Sequence, residues 1–138
     1  MPNGIDLILA DHQEVAELFD EFNSNQDGAV IGRVMAALTA HDEAEQHALY
    51  PFAAAILEDA ALIERAAAAH SLVKKQIDLI KSLEGPPLAA AFAGLQTLVT
   101  EHVDDEEQNL LPALAERASP QQLEGLGARI MQAKLRGG

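Results

Sequence analysis

The amino-acid sequence predicts an all-α fold, an up-down-up-down antiparallel four-helix bundle with a short C-terminal fifth helix. Alanine and leucine dominate the chain, β-branched residues are sparse, and apolar positions recur at intervals of three and four residues. Turn and breaker residues divide the chain into long amphipathic segments with short connections. Short connections in a helical bundle place consecutive helices antiparallel to each other.

One apolar stripe predicts the first helix, which begins at Asn3 or Gly4 and ends near Asn23. The stripe consists of Ile5, Leu9, His12, Val15, Ala16, Phe19 and Phe22. The tetrapeptide Asn25-Gln26-Asp27-Gly28 follows and is typical of a turn.

Three further long helices are predicted over about 29–48 (resuming to about 57), 59–83 and 88–116. Pro51 and Pro112 are expected to disturb the second and fourth helices, because proline lacks a backbone N–H and clashes with the preceding turn. The third helix is predicted to end at Gly85-Pro86-Pro87, a C-cap glycine followed by residues that cannot continue a helix.

The last segment begins with Ser119-Pro120, which is typical of an N-cap residue followed by proline at the first helical position. This pair predicts a short fifth helix over about 119–136. With the bundle itself over about 5–116, we expect residues 1–138 to form a single domain.

The composition excludes several classes of function. The chain has 22 acidic residues against 9 lysines and arginines, which gives a formal net charge of −13. Such a surface repels nucleic-acid phosphates and anionic membranes, so neither is an expected partner. The absence of cysteine excludes disulfides, cysteine-ligated iron–sulfur clusters and thiolate chemistry.

The N-terminal stretch MPNGIDLILADH has no basic region, and acidic residues interrupt its apolar part, so a signal peptide is not predicted. The sequence also contains no apolar run of about 18 residues, the length that a membrane span requires. We therefore expect a cytoplasmic protein.

A doubled motif indicates a metal site. The spacing HxxxExxxxxP occurs at 41–51 (HDEAEQHALYP) and again at 102–112 (HVDDEEQNLLP). Residues four apart on a helix share one face, so each copy directs an imidazole and a carboxylate towards one point. These side chains are His41, Glu45, His102 and Glu106.

Two more histidines fall where such a site needs them, His12 in the first helix and His70 in the third. His41 follows His12 by 29 residues, and His102 follows His70 by 32. Each interval climbs half a helix, turns and returns, so the four imidazoles are expected in one layer. Imidazole nitrogens with carboxylate oxygens suit iron, manganese or zinc better than calcium or magnesium.

The pattern H…HxxxE…H…HxxxE, with an aromatic residue or leucine and then proline closing each HxxxE segment, resembles the hemerythrin-like (HHE) cation-binding domain over about residues 5–116. The resemblance implies two iron ions, carboxylate-bridged by the glutamates and carrying an oxo or hydroxo bridge. The ligands that it implies are His12, His41, Glu45, His70, His102 and Glu106. Ferritin-like bundles instead use an E-x-x-H arrangement, which neither motif helix has.

Lys74 departs from the pattern of the oxygen-carrying members of this family, which have a second histidine one turn after the histidine of the third helix. A lysine ammonium is a poor ligand, so Lys74 is expected near the site but not on the metal. The chain therefore resembles the four-histidine, two-glutamate branch of the family, which is linked to nitric oxide, peroxide or iron handling more than to oxygen carriage.

Tyr50 has two competing interpretations. In an ideal α-helix it lies about 140° from Glu45, off the ligand face. Pro51 favours a local π-turn, in which residues five apart stack and the phenol turns inward as an additional ligand. Alternatively, Tyr50 is an aromatic plug at the end of the bundle, and the iron nearest His41 keeps an open position.

The other polar residues around the motif are assigned outside the ligand set. His47 points away from the ligand face and is predicted to be a surface residue. The nearby acids are expected either to be solvated or to accept from the imidazoles' free N–H groups: Asp42, Glu43, Asp104, Asp105 and Glu107. The phenylalanines are predicted core residues: Phe19, Phe22, Phe52 and Phe92.

The leading functional hypothesis is a non-haem di-iron protein that binds or reduces a small oxidant (oxygen, nitric oxide or hydrogen peroxide) in sensing or stress protection. The first alternative is iron storage or delivery without redox catalysis. The second is a bundle in which the metal is only structural. The sequence indicates no protein partner and does not choose among sensor, scavenger and store.

Overall fold

The computed structural model describes residues 2–137, which form five helices and no strands. The second and fourth helices each contain one π-helical turn. The helices are α1 (Gly4–Asn25), α2 (Gly28–Ala44, π turn Glu45–Leu49, then Tyr50–Leu57), α3 (Ala60–Ile80), α4 (Gly85–Asp105, π turn Glu106–Leu110, then Leu111–Arg117) and α5 (Pro120–Gly137). The predicted all-α fold is confirmed.

Polar side chains fix where most helices begin. Asn3, Asp27 and Asp59 each accept a hydrogen bond from a backbone amide in the first turn of α1, α2 and α3. At α5, Ser119 and Gln122 each accept from the other's backbone N–H, at 3.1 and 2.8 Å. This reciprocal capping box confirms the predicted start of the fifth helix.

Gly85 was predicted to cap the end of the third helix, and this prediction was wrong. Helix α3 already ends at Ile80, and Gly85 begins α4 with φ +62°. Pro86 and Pro87 lie in the first turn of α4, where the missing proline N–H has no helical partner to lose. The left-handed glycine is therefore an entry to the fourth helix and not the cap of the third.

The core consists of two apolar clusters. One packs at the end of the bundle that contains the π turns, around Ile8, Leu49 and Leu114. The other fills the opposite end around Phe92, whose ring contacts those of Phe19 and Phe22. Phe52 is only partly buried against the first cluster. Along each of the first four helices, the predicted histidine ligand falls between the buried residues of these two apolar clusters.

Helix α5 has 18 residues, close to the predicted range of about 119–136, and packs against α1 and α2. Leu126 and Ile130 are buried in the first apolar cluster. Two glycines permit this close contact. A Cβ on Gly127 would collide with the carbonyl of Pro2, and a Cβ on Gly4 would collide with the side chain of Leu126. Within residues 2–137, no helix has the length and continuous apolar character that a bilayer crossing requires.

Candidate metal centre

Two π turns set the ligand geometry of α2 and α4. The N–H of Tyr50 donates to the carbonyl of Glu45, five residues earlier, and the N–H of Leu111 donates to that of Glu106. A proline follows two residues after the end of each turn, and it has no N–H for the ordinary helical bond. The π turn predicted at Pro51 is confirmed; the matching turn before Pro112 was predicted only as a helix disturbance.

The structure brings all six predicted ligands into one buried layer: His12, His41, Glu45, His70, His102 and Glu106. They form two groups, and within each group the candidate ligand atoms all lie within 4.8 Å of one another. One group contains His12 and His41, the other contains His70 and His102, and both glutamates belong to both groups. This arrangement is the one that two carboxylate-bridged cations require.

Each glutamate directs one oxygen to each histidine pair. Glu45 Oε2 lies 3.2 Å from His41 Nε2, while Glu45 Oε1 lies 3.1 Å from His102 Nε2 and also contacts His70 Nε2. Glu106 Oε1 lies 3.2 Å from His12 Nε2, and its Oε2 lies 3.1 Å from His102 Nε2. The two carboxylates therefore span the space between the pairs.

The donor set fits cations. Among the described residues, five buried side-chain atoms make no hydrogen bond of good geometry, although four of them lie 3.2 Å from a facing atom: His12 Nε2, His41 Nε2, Glu45 Oε2, His102 Nδ1 and Glu106 Oε1. Four of them are the facing atoms of the His12/His41 group. A buried polar atom without a partner costs about 1–3 kcal/mol, and a coordinated cation would satisfy the facing atoms together.

Tyr50 lies inside this layer. Its hydroxyl is within donating distance of Glu106 Oε2 (2.7 Å) and Glu45 Oε1 (3.1 Å), and it lies 3.3 Å from His102 Nε2. The π turn therefore has the predicted effect of turning the phenol inward. The phenol joins the carboxylate oxygens that face His70 and His102, so it lies on the side of that histidine pair and not on the side of His41.

The profile of the Hemerythrin HHE cation binding domain family matches residues 3–114, and these residues contain the whole His/Glu layer. The chain belongs to the hemerythrin HHE cation-binding domain family. The doubled HxxxE motif had indicated this membership, and the four helices that carry the layer are the helices that the family profile covers.

Two relatives place this HHE domain among known proteins. A Nostoc sp. protein described as a DNA nickase is 30% identical over 135 residues, which are 94% of this chain and 38% of that protein. The chain thus spans less than half of that relative. A crystal structure of a hemerythrin HHE cation binding domain-containing protein from Mycobacterium kansasii shares the fold, with a TM-score of 0.81, 23% identity and coverage of 99% of this chain and 90% of that one.

Carboxylates outside the layer orient three of the four imidazoles. The Nδ1–H groups donate from His12 to Glu107 (2.7 Å), from His41 to Asp11 (3.0 Å) and from His70 to Asp42 (2.6 Å). These bonds leave Nε2 of each ring directed into the layer. Glu107 and Asp42 were candidates for this role. Asp11 was missed, because its contact depends on how α1 packs against α2.

The remaining polar residues of the motif face outward. His47 is exposed and pairs with Glu43 at 3.1 Å, which confirms the surface prediction. Asp105 accepts two hydrogen bonds from Arg65, at 2.8 and 2.9 Å, and Asp104 is exposed. The Arg65–Asp105 hydrogen bonds join α3 to α4 beside the His/Glu layer without entering it.

Burial and the neighbouring charges shift the pKa values of several side chains in the His/Glu layer. Burial lowers the pKa of His41 and His102, but the facing carboxylates reverse this effect and raise each pKa to about 10. Burial raises the pKa of the Tyr50 phenol above its usual range, and the carboxylates of Glu45 and Glu106 raise it further. Cations must displace the imidazolium protons, so metal affinity falls as the pH is lowered.

A cavity of about 190 Å³ reaches the layer. All four ligand histidines line it, together with an apolar wall: Val15, Leu38, Val73, Ile77, Val99 and Val103. Lys74 is exposed and lines the same cavity as His70, one turn away. The cavity therefore approaches the imidazoles, while Tyr50, Glu45 and Glu106 do not line it.

Proposed function

We propose that this HHE domain holds two iron ions and uses them to bind or reduce a small oxidant: oxygen, nitric oxide or hydrogen peroxide. The observation that carries the proposal is the cavity of about 190 Å³, which is lined by the four histidines and by apolar side chains. A space of this size admits a small molecule to the layer and excludes larger reductants and substrates.

In this proposal His12 and His41 hold one ion, His70 and His102 hold the other, and Glu45 and Glu106 bridge them. Ferrous iron bound there would supply electrons and an exchangeable coordination position. The chain's own residues have two further roles in this proposal. The valines of the cavity wall would exclude water, and the two shared carboxylates would balance changes of charge on either ion. Asp42, which accepts from His70, also lines the cavity and connects the layer to solvent.

Narrowing the cavity is expected to slow the reaction with oxidant while leaving the iron content unchanged. In Val73→Phe, the larger ring would fill part of the wall near His70 and obstruct entry. We expect the stopped-flow rate of the anaerobic ferrous protein with each of the three oxidants to fall by about tenfold, which corresponds to about 1.4 kcal/mol. Leu72→Phe, on the exposed neighbouring residue, is the matched control. Equal rates in both variants would overturn the proposed entry route.

Lys74→His is expected to add a fifth imidazole and to shift reactivity towards reversible oxygen binding. Residue 74 is one helical turn beyond His70 and lines the same cavity. The absorption spectra of the oxidised and oxygenated iron protein should change in this variant. Lys75→His, at the adjacent exposed position outside the cavity lining, should leave both spectra as in the native chain. Unchanged spectra in Lys74→His would mean that residue 74 does not face the iron.

Iron storage or delivery is the second candidate, and the cavity's charged residues favour it. Asp42, Glu43 and Asp78 line the cavity and would attract cations, although Lys74 and Lys81 offset part of this charge. Rapid release of iron to a chelator, with no spectral change on mixing with oxidants, would select storage. Slow release with a fast spectral change would select the oxidant-directed function.

We also propose that nucleic acid and membranes are not partners, and that the domain works in the cytoplasm. The net charge of −13 opposes binding to phosphate backbones and anionic lipids. The name of the Nostoc relative describes a protein of which this chain matches only 38%, so its nickase activity is not transferred here. Retention of labelled DNA by the purified domain at low salt would contradict this view.

A further inference from the structure

The side chain of Asp11 connects the metal layer to the C-terminal helix. Its Oδ2 accepts from His41 Nδ1 at 3.0 Å, and its Oδ1 forms an ion pair with Lys134 of α5. The Asp11 side chain is 8% exposed, against 32% for Asp42 and 39% for Glu107, the other carboxylates that hold ligand imidazoles. Asp11 is therefore the one acceptor of the three that is shielded from water and balanced by a lysine.

Lys134 lies outside the residues that the family profile covers, which end at 114. The four imidazoles differ in the partners of their Nδ1 atoms. Those of His12 and His70 donate to partly exposed carboxylates, and His102 Nδ1 has no partner among the described residues. Within the part of the chain that the structure describes, Asp11 is the one carboxylate of the three that is shared between a ligand imidazole and a lysine of the fifth helix.

We propose that Lys134 is a positioning residue that acts through Asp11 and sets how strongly His41 binds its metal ion. A carboxylate that accepts from Nδ1–H increases the basicity of the imidazole as a ligand. Lys134 draws part of the Asp11 charge to itself, so it weakens this effect and holds the carboxylate in place. The fifth helix thereby adjusts the ion of the His12/His41 group, which the Tyr50 phenol does not face.

This inference rests on the proposed metal site but not on its reaction with oxidants, so cobalt(II) affinity tests it separately. Asp11→Asn should weaken cobalt binding at this group by about 10- to 100-fold, the usual effect of losing such an acceptor. Lys134→Met should act in the opposite direction and tighten binding by about fivefold, because Asp11 would no longer share its charge with a lysine and would increase the basicity of His41 as a ligand. A purely structural role for Lys134 would weaken binding in both variants.

Three further variants complete the test. Lys134→Arg keeps the charge and should retain the native affinity, and Lys75→Met, an exposed lysine on α3, should change nothing. In an Asp11→Asn background, Lys134→Met should have no further effect, because the connecting carboxylate is gone. In the iron-loaded protein, Lys134→Met should lower the midpoint potential, since a more basic His41 favours ferric iron. Weaker or unchanged cobalt binding in Lys134→Met would overturn the inference, even if the protein reacts with oxidants as proposed.

Discussion

Glu45→Ala is expected to abolish stable binding of both metal ions. Glu45 is fully buried, and its two oxygens face different histidine pairs, with 3.2 Å to His41 Nε2 and 3.1 Å to His102 Nε2. Its loss therefore removes a donor from each candidate site at once. We expect about two ions per native chain after loading with iron and desalting, because the layer contains two complete donor groups, and less than one in Glu45→Ala.

His102→Ala is expected to release one metal ion, whereas Glu45→Ala should release both. It removes one imidazole from the group that contains His70, so it should release the ion of that group and lower the unfolding temperature of the iron-loaded protein. Glu101→Ala, at the neighbouring exposed position of α4, is the matched control and should retain both ions. Metal analysis that gives less than one ion in the native chain, or two ions in His102→Ala, would contradict the assignment.

Glu45→Ala should also destabilise the metal-free protein. The carboxylate is paired with imidazoles in the buried layer. Burial raises the pKa of Glu45, but His41 and the other partners outweigh this effect and hold the pKa well below its usual range. Removing one partner of a buried pair costs about 3–5 kcal/mol, because the other is left without compensation. Urea unfolding of the metal-free variants measures this cost apart from metal binding.

The sequence was sufficient to predict that the six candidate ligands lie together, because their contacts are set by helical periodicity. The spacing of four places His41 with Glu45, and His102 with Glu106, whatever the surrounding packing. The intervals between histidines then determine their common height. The turn at Pro51 was also predictable, since proline removes a specific backbone donor.

Contacts between helices were not predictable in the same way. Asp11 precedes His12 directly, and nothing in its spacing indicates that it meets His41 on another helix. Lys134 is separated from Asp11 by 123 residues, so the ion pair depends on how α5 docks. Gly85 was assigned to the wrong helix because a left-handed glycine followed by two prolines can end one helix or begin the next.

Tyr50 carries the second large prediction, because its phenol lies where a ligand of the His70/His102 ion would lie. In the metal-free protein the hydroxyl keeps its proton and donates to the glutamates, since burial and both carboxylates raise its pKa. A ferric ion between the same carboxylates reverses this balance, because a coordinating cation favours the phenolate. Leu111, the matching residue on α4, offers no such donor to the other ion.

Oxidised iron-loaded protein should therefore show a broad visible band from phenolate-to-iron charge transfer, and Tyr50→Phe should abolish it while about two iron ions per chain remain. The metal-free variant should lose about 2 kcal/mol of unfolding free energy, the usual scale for a hydrogen bond to a charged group. Absorption spectra and metal analysis of the same preparations measure both effects. If the visible spectrum is unaltered but the metal-free protein is destabilised, Tyr50 serves as a hydrogen-bond donor that holds the two carboxylates, and the ion beside His102 has only the His/Glu donors.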